Sequence, residues 1–311
     1  MKSLLFSIVF ACAVSAVSVL AQNPASDAQD RSQLFRSQPG APSDTPPEET
    51  ALGYAAPSSN DADLGTQAIL KRQDSYKAWT VSFSAPYYWT SNVALARTGE
   101  VSDGVFAPLA GISYQPKIWK SLYGELGVAQ QLFYYNRYSS FNFASFDTIA
   151  GLVYYLPQLN NLTLRLRYDF NRLTSDEFDE FFSNHQLVFM AELPYRVGRA
   201  MQVSVGGVVD ISVAADHQDP RRKEFDGYVD YQVQLSRSFS VDASARVLLK
   251  DYYANDRTDV SEILALTANY RVRDWLSLSA VSTFAWNQSN ESVFDYSVAN
   301  LGGAVSANIK F

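Results

Sequence analysis

The side chains with chemistry to offer are charges of both signs that recur at alternate positions of extended-looking segments. In 162–171, Thr163, Arg165, Arg167, Asp169 and Asn171 share one face, and Leu162, Leu164, Leu166, Tyr168 and Phe170 share the other. Asp230 falls on the polar face of 225–236, and Asp242 and Arg246 on that of 239–250. Glu125, Glu192 and Glu262 are assigned to equivalent positions. Facing water, such a wall sets up a transverse field that sorts solutes by charge. Fully paired, it is a salt-bridged interior instead, and leftover basic groups would favour anions. A second constellation is Ser183 and His185, two apart on one face, where an imidazole could activate a hydroxyl nucleophile. His217, the other histidine, lies in a polar loop and reads as solvated surface. The acidic pairs Asp176-Glu177 and Asp179-Glu180 could hold calcium, but read first as a solvated loop. There is no glycine-rich phosphate loop and no His-Glu-x-x-His helix, so no cofactor and no metal is expected.

Strands must position these residues. From about Lys77 onward, aromatic and β-branched residues alternate with polar ones, and stripes of helical period are absent. Twelve candidate strands lie near 78–90, 104–115, 122–135, 145–156, 162–172, 185–195, 201–213, 225–236, 239–250, 260–271, 275–287 and 298–311. The connections after even strands are short. Those after odd strands, such as 171–184, 214–224 and 251–259, read as longer and polar. The short turns recur about every 40 residues, a period that a six-bladed propeller would share. A propeller needs four short strands per repeat, however, and each repeat here holds two long ones.

The rest of the chain differs in texture. Lys2 followed by the apolar run 4–20 and Val19-Leu20-Ala21 predicts a cleaved signal peptide over 1–21 rather than a retained anchor. Cys12, the only cysteine, lies within it, so the mature chain has no disulfide or thiolate site. Residues 22–76 carry half of the prolines and three aromatics, and are expected to stay disordered, with one short helix conceivable over 61–72. Such a helix would be a barrel plug or a tether, and the segment otherwise a linker. The net charge of -7 argues against a nucleic-acid partner.

The last strand names a class. Gly303, Val305, Ala307, Ile309 and Phe311 alternate with Ala304, Ser306, Asn308 and Lys310, and the sequence closes on an aromatic residue. This resembles the outer-membrane β-barrel proteins of Gram-negative bacteria, over roughly 77–311. The resemblance implies an all-β fold, a single transmembrane antiparallel up-and-down barrel of about twelve strands, with its short turns in the periplasm. It implies Phe311 as part of the signal read by the barrel-assembly machinery, and outer-membrane lipids and lipopolysaccharide as surroundings. An arginine facing lipid at the midplane would cost roughly 2–4 kcal/mol, so Arg165 and Arg167 must face inward and the leucines outward. Aromatics near strand ends (Trp79, Tyr87, Tyr88, Trp89, Tyr134, Tyr195, Tyr270, Phe284 and Trp286) fit two interfacial girdles. A narrow porin-like pore for small hydrophilic solutes leads the functional readings, ahead of a structural or adhesive barrel. An outer-membrane lipid hydrolase comes third, because Ser183-Asn-His185 reverses the His-x-Ser order of those enzymes.

Overall fold

The computed structural model describes residues 24–36 and 76–311, apart from positions 199 and 255. The expected signal peptide over 1–21 and the conceivable helix at 61–72 lie outside the described residues. Twelve strands span the sheet: β1 (Trp79–Thr90), β2 (Asp103–Phe106 and Leu109–Tyr114), β3 (Leu122–Tyr135), β4 (Phe143–Leu156), β5 (Leu162–Thr174), β6 (Glu180–Arg196), β7 (Met201–Asp216), β8 (Arg222–Gln234), β9 (Phe239–Tyr252), β10 (Thr258–Arg273), β11 (Leu276–Ser289) and β12 (Tyr296–Lys310). Each pairs antiparallel with its sequence neighbours. β12 returns to β1, from Thr80↔Lys310 to Thr90↔Asn300, which closes the sheet into a barrel and removes its edges. The break in β2 falls at Ala107-Pro108, where Pro108 has no N–H to give. The register against β1 is the same on both sides of it.

At one rim the connections run from two residues (274–275) to seven (115–121). At the other they are less extended than the sequence predicts. The hairpins continue as strand to Thr174 and from Glu180, to Asp216 and from Arg222, and to Tyr252 and from Thr258. Polar residues keep pairing across strands beyond any apolar band, because the ladder needs only backbone groups. The twelve-residue connection 91–102 is the longest.

The outer surface is apolar. Leu166, Val205, Val229, Val247, Leu266, Leu301 and Val305 are exposed, whereas Arg165 on the alternate row of β5 is buried. Trp79, Tyr195 and Tyr270 stand exposed at the short-turn rim, and Tyr87, Trp89, Tyr134 and Trp286 towards the other. Tyr88 departs from the expected girdle, because it points into the lumen and is buried. Leu166 sits mid-strand between Leu152 and Phe189, both equally exposed. Leu166→Arg is therefore expected to cost about 2–4 kcal/mol, read as a lower denaturation midpoint of the barrel in lipid vesicles.

Residues 24–36 overturn the expectation of disorder at that stretch. They form a helix, α1 (Pro24–Arg36), inside the barrel. Pro24 opens it at a position where a missing N–H costs nothing. A helix on a globular core shows one apolar stripe. α1 is instead enclosed: Ala25, Ser26, Ala28, Asp30, Arg31, Ser32, Leu34 and Phe35 are all buried. It is polar on most sides because its surroundings are a polar lumen.

Candidate functional site

The barrel lumen is the candidate site, and it has two parts. In the half near the long-loop rim, inward residues both apolar and polar close around α1. Phe35 stacks on Tyr88 with ring centroids 5.0 Å apart and lies 5.8 Å from Phe133. Phe143, Leu173 and Phe182 extend this cluster. Leu34 packs with Leu95, Leu248, Ile263, Ala285 and Val298. Arg31 donates to the Val93 carbonyl at 3.1 Å and lies over the Phe141 ring.

One flank of α1 is held by charge. Asp30 Oδ1 accepts a hydrogen bond from Lys250 Nζ and forms an ion pair with Arg222 Nη1, both at 2.9 Å. Arg222 also pairs with Glu224 at 2.5 Å and donates to the Tyr252 hydroxyl at 3.0 Å. Gln33 donates to Glu224 at 2.7 Å. Arg257 pairs with Asp259 beside them and covers the Tyr252 ring. The sequence reading named none of these residues as site residues.

Two carboxyls of α1, a lumen helix rather than a spanning strand, are shifted in opposite directions. Burial alone would raise Asp30, but the Lys250 and Arg222 cations override it and hold the carboxyl at about 2. Burial raises Asp27 to about 7, against the opposing pull of Arg31. The docked helix thus holds a proton on Asp27 that the free helix loses near the ordinary carboxylate value of 3.8. Docking should weaken as pH rises from about 4 to 7 and level off above, while Asp30 contributes no change in that window. Hydrogen exchange of the 25–35 amides, corrected for intrinsic rate, should show this slope, and Asp27→Asn should flatten it.

Below α1 the inward rows carry charges of both signs. Arg165 meets Glu125 at 3.2 Å, and Arg167 meets Asp169 at 2.9 Å. Arg246 pairs with Asp226. Glu192 instead accepts from the Tyr228 hydroxyl at 2.7 Å, Asp210 from Gln186 at 2.7 Å, and Asp242 from Asn269 at 2.9 Å. Asp230 lies on the same inward row as Asp226 and Tyr228. Glu262 does not line the lumen. It is exposed on the outward row of β10 with Val260, Leu264 and Leu266, opposite Trp286 near the long-loop rim. Its apolar row-mates fix the register, and its place close to the strand end keeps the charge away from the membrane centre.

The other constellations separate. The His185 imidazole hydrogen-bonds to the Tyr168 hydroxyl rather than to Ser183, and packs on Phe170 at 4.8 Å. Ser183 is itself buried. His217 is exposed, beside Asp216. Glu180 is taken by Arg172 at 2.6 Å, and among the described residues no three possible metal ligands cluster. Phe311 exchanges backbone hydrogen bonds with Trp79 across the closing seam, its side chain exposed.

No family model and no curated protein matches the chain. Among solved structures, it is similar to the COG4313 outer membrane channel from Pseudomonas putida F1, with a TM-score of 0.56 at 10% identity, over 76% of this chain and 96% of that one. A looser match is the KdgM porin, with a TM-score of 0.41 at 8% identity, over 72% of this chain and 97% of that one. The first likeness is one of fold. A closed twelve-stranded barrel, apolar outside and charged within, places the chain in the outer-membrane β-barrel class.

Proposed function

We propose that the protein is a narrow outer-membrane channel for small hydrophilic solutes, closed by α1 in the state described. The observation that carries this reading is the lumen itself. Its lower wall is lined by Arg165, Arg167, Asp169, Glu192, Asp230, Asp242 and Arg246, and its upper part is filled by a helix rather than by the wall's own side chains. Twelve strands enclose more than the filled interior of an eight-stranded barrel and less than a sixteen-stranded channel. In this reading residues 1–21 direct export and are removed, and the short turns face the periplasm. Phe311 is read by the barrel-assembly machinery, and the outer face meets lipid and lipopolysaccharide. Because Glu192 and Asp242 bond to neutral groups, the open lumen should prefer cations.

The packing of Phe35 between Tyr88 and Phe133 favours a second reading, a permanently closed structural barrel. Liposome swelling decides between them. Vesicles carrying the protein should swell in a pentose solution, faster once residues 24–36 are deleted. No swelling from either protein, with both barrels folded, would leave the structural reading.

A further inference from the structure

The latch on α1 has the form of a bound ligand. Arg222 and Lys250 are buried, at 1% and 2% exposure, and converge on one carboxylate oxygen, Asp30 Oδ1. That carboxylate belongs to no strand. It arrives on a separate helix, joined to β1 through a long segment of chain. The wall around it supplies three cations, Arg222, Lys250 and Arg257, against two carboxylates, Glu224 and Asp259. Glu224 serves Arg222 and Asp259 serves Arg257. Asp30 is thus an added anion, brought from outside the wall onto Lys250 and Arg222. Without α1, Lys250 would lose a 2.9 Å ion pair, and Arg222 would keep Glu224 and Tyr252 but present Nη1 and Nη2 to the lumen. A guanidinium fork beside an ammonium, converging on one point of the lumen wall, is a carboxylate site.

We propose that Arg222 and Lys250 form a carboxylate-binding site which α1 fills with its own Asp30, and that carboxylate-bearing solutes release the helix by taking that place. This rests on the channel reading for its purpose, and adds what opens the barrel. Gln33 strengthens the mimicry, since it bonds both Glu224 and Arg222 and so fixes Asp30 in register with the pair. A ligand with the same affinity for docked and released barrels would shift nothing. A carboxylate that enters only where Asp30 has left binds the released state alone.

The test labels the helix. Ser26 is 2% exposed on α1 and outside the latch, so Ser26→Cys in the full chain places a thiol that a membrane-impermeant maleimide reaches only after release. Parent protein treated alike supplies the background. In vesicles, replacing 100 mM chloride by acetate at equal ionic strength should speed labelling at least several-fold. Adding Asp30→Asn should make labelling at least tenfold faster in chloride. Adding Lys250→Gln should abolish the acetate response. Heat-modifiable mobility confirms that each variant is a folded barrel. Equal rates in acetate and chloride for the Ser26→Cys protein would overturn the proposal, as would an acetate response unchanged by Lys250→Gln. Current recorded in parallel keeps the two readings apart. Acetate-driven labelling without current sinks the channel and keeps the site, and current without acetate-driven labelling does the reverse.

Discussion

Deletion of residues 24–36 should raise single-channel conductance in planar bilayers at least several-fold over the intact protein. An α-helix with its side chains is about 10–12 Å across. Placed in the lumen of a twelve-stranded barrel, it leaves little room for hydrated ions, and Phe35 wedges against Tyr88 and Phe133 where the fit is tightest. Deletion leaves a collar of apolar residues, including Leu173, Phe182, Leu248 and Val298, above the charged lower lumen. The current should be carried mainly by cations, seen as a reversal potential of the matching sign in a salt gradient. An unchanged conductance would mean that ions pass beside the helix, or that another element is the barrier.

Arg222→Met should destabilise the folded protein by about 3–5 kcal/mol, the cost of removing one partner from a buried ion network. Arg222 is 1% exposed and serves Asp30, Glu224, Gln33 and Tyr252 together. Its loss leaves Glu224 with Gln33 and Asp30 with Lys250, two carboxylates beside one ammonium. Urea denaturation in detergent micelles measures the effect. Asp30→Asn should cost less in the Arg222→Met background than in the parent, because the two changes share one contact. Additive costs would show that the Arg222–Asp30 contact carries no coupling.

Most of the barrel could be read from alternation. β3 falls on the predicted 122–135, and the faces of β5, β8 and β9 point as the sequence indicates, because one face must suit lipid and the other water. β6 begins at Glu180, five residues before the predicted start, since the polar residues there resemble a loop although their backbone pairs with β5. The polarity of Glu262 alone points it inward, but its row-mates Leu264 and Leu266 point the row outward and prevail. Leu248 carried a signal that alternation alone could not interpret. It stands at an inward position between Arg246 and Lys250, with Phe133, Leu173, Ile263 and Val298 at the same level of other strands. Apolar residues facing a water-filled lumen make sense only if something covers them. The cover, α1, is low in hydrophobicity and followed by a proline-rich stretch, so composition hid it. Pro24, Asp27 and Arg36 do spell a helix start and stop. The Asp30 latch was illegible, because it joins positions some 190 to 220 residues apart.

The distance between the two ends of the N-terminal connection has a mechanical consequence. α1 docks near Val93 and Lys250, towards one rim, while Tyr76 bonds to Gln115 and packs on Tyr123 at the opposite one. The 39 residues from 37 to 75 can stretch to about 130 Å, some three times the roughly 40–45 Å thickness of a bilayer with its headgroups. By reach alone, a helix joined to β1 by that many residues can leave the lumen and still stay attached. Its return is an encounter within one molecule, at a local concentration on the order of millimolar or below. Any rival for its berth must therefore be abundant as well as well shaped.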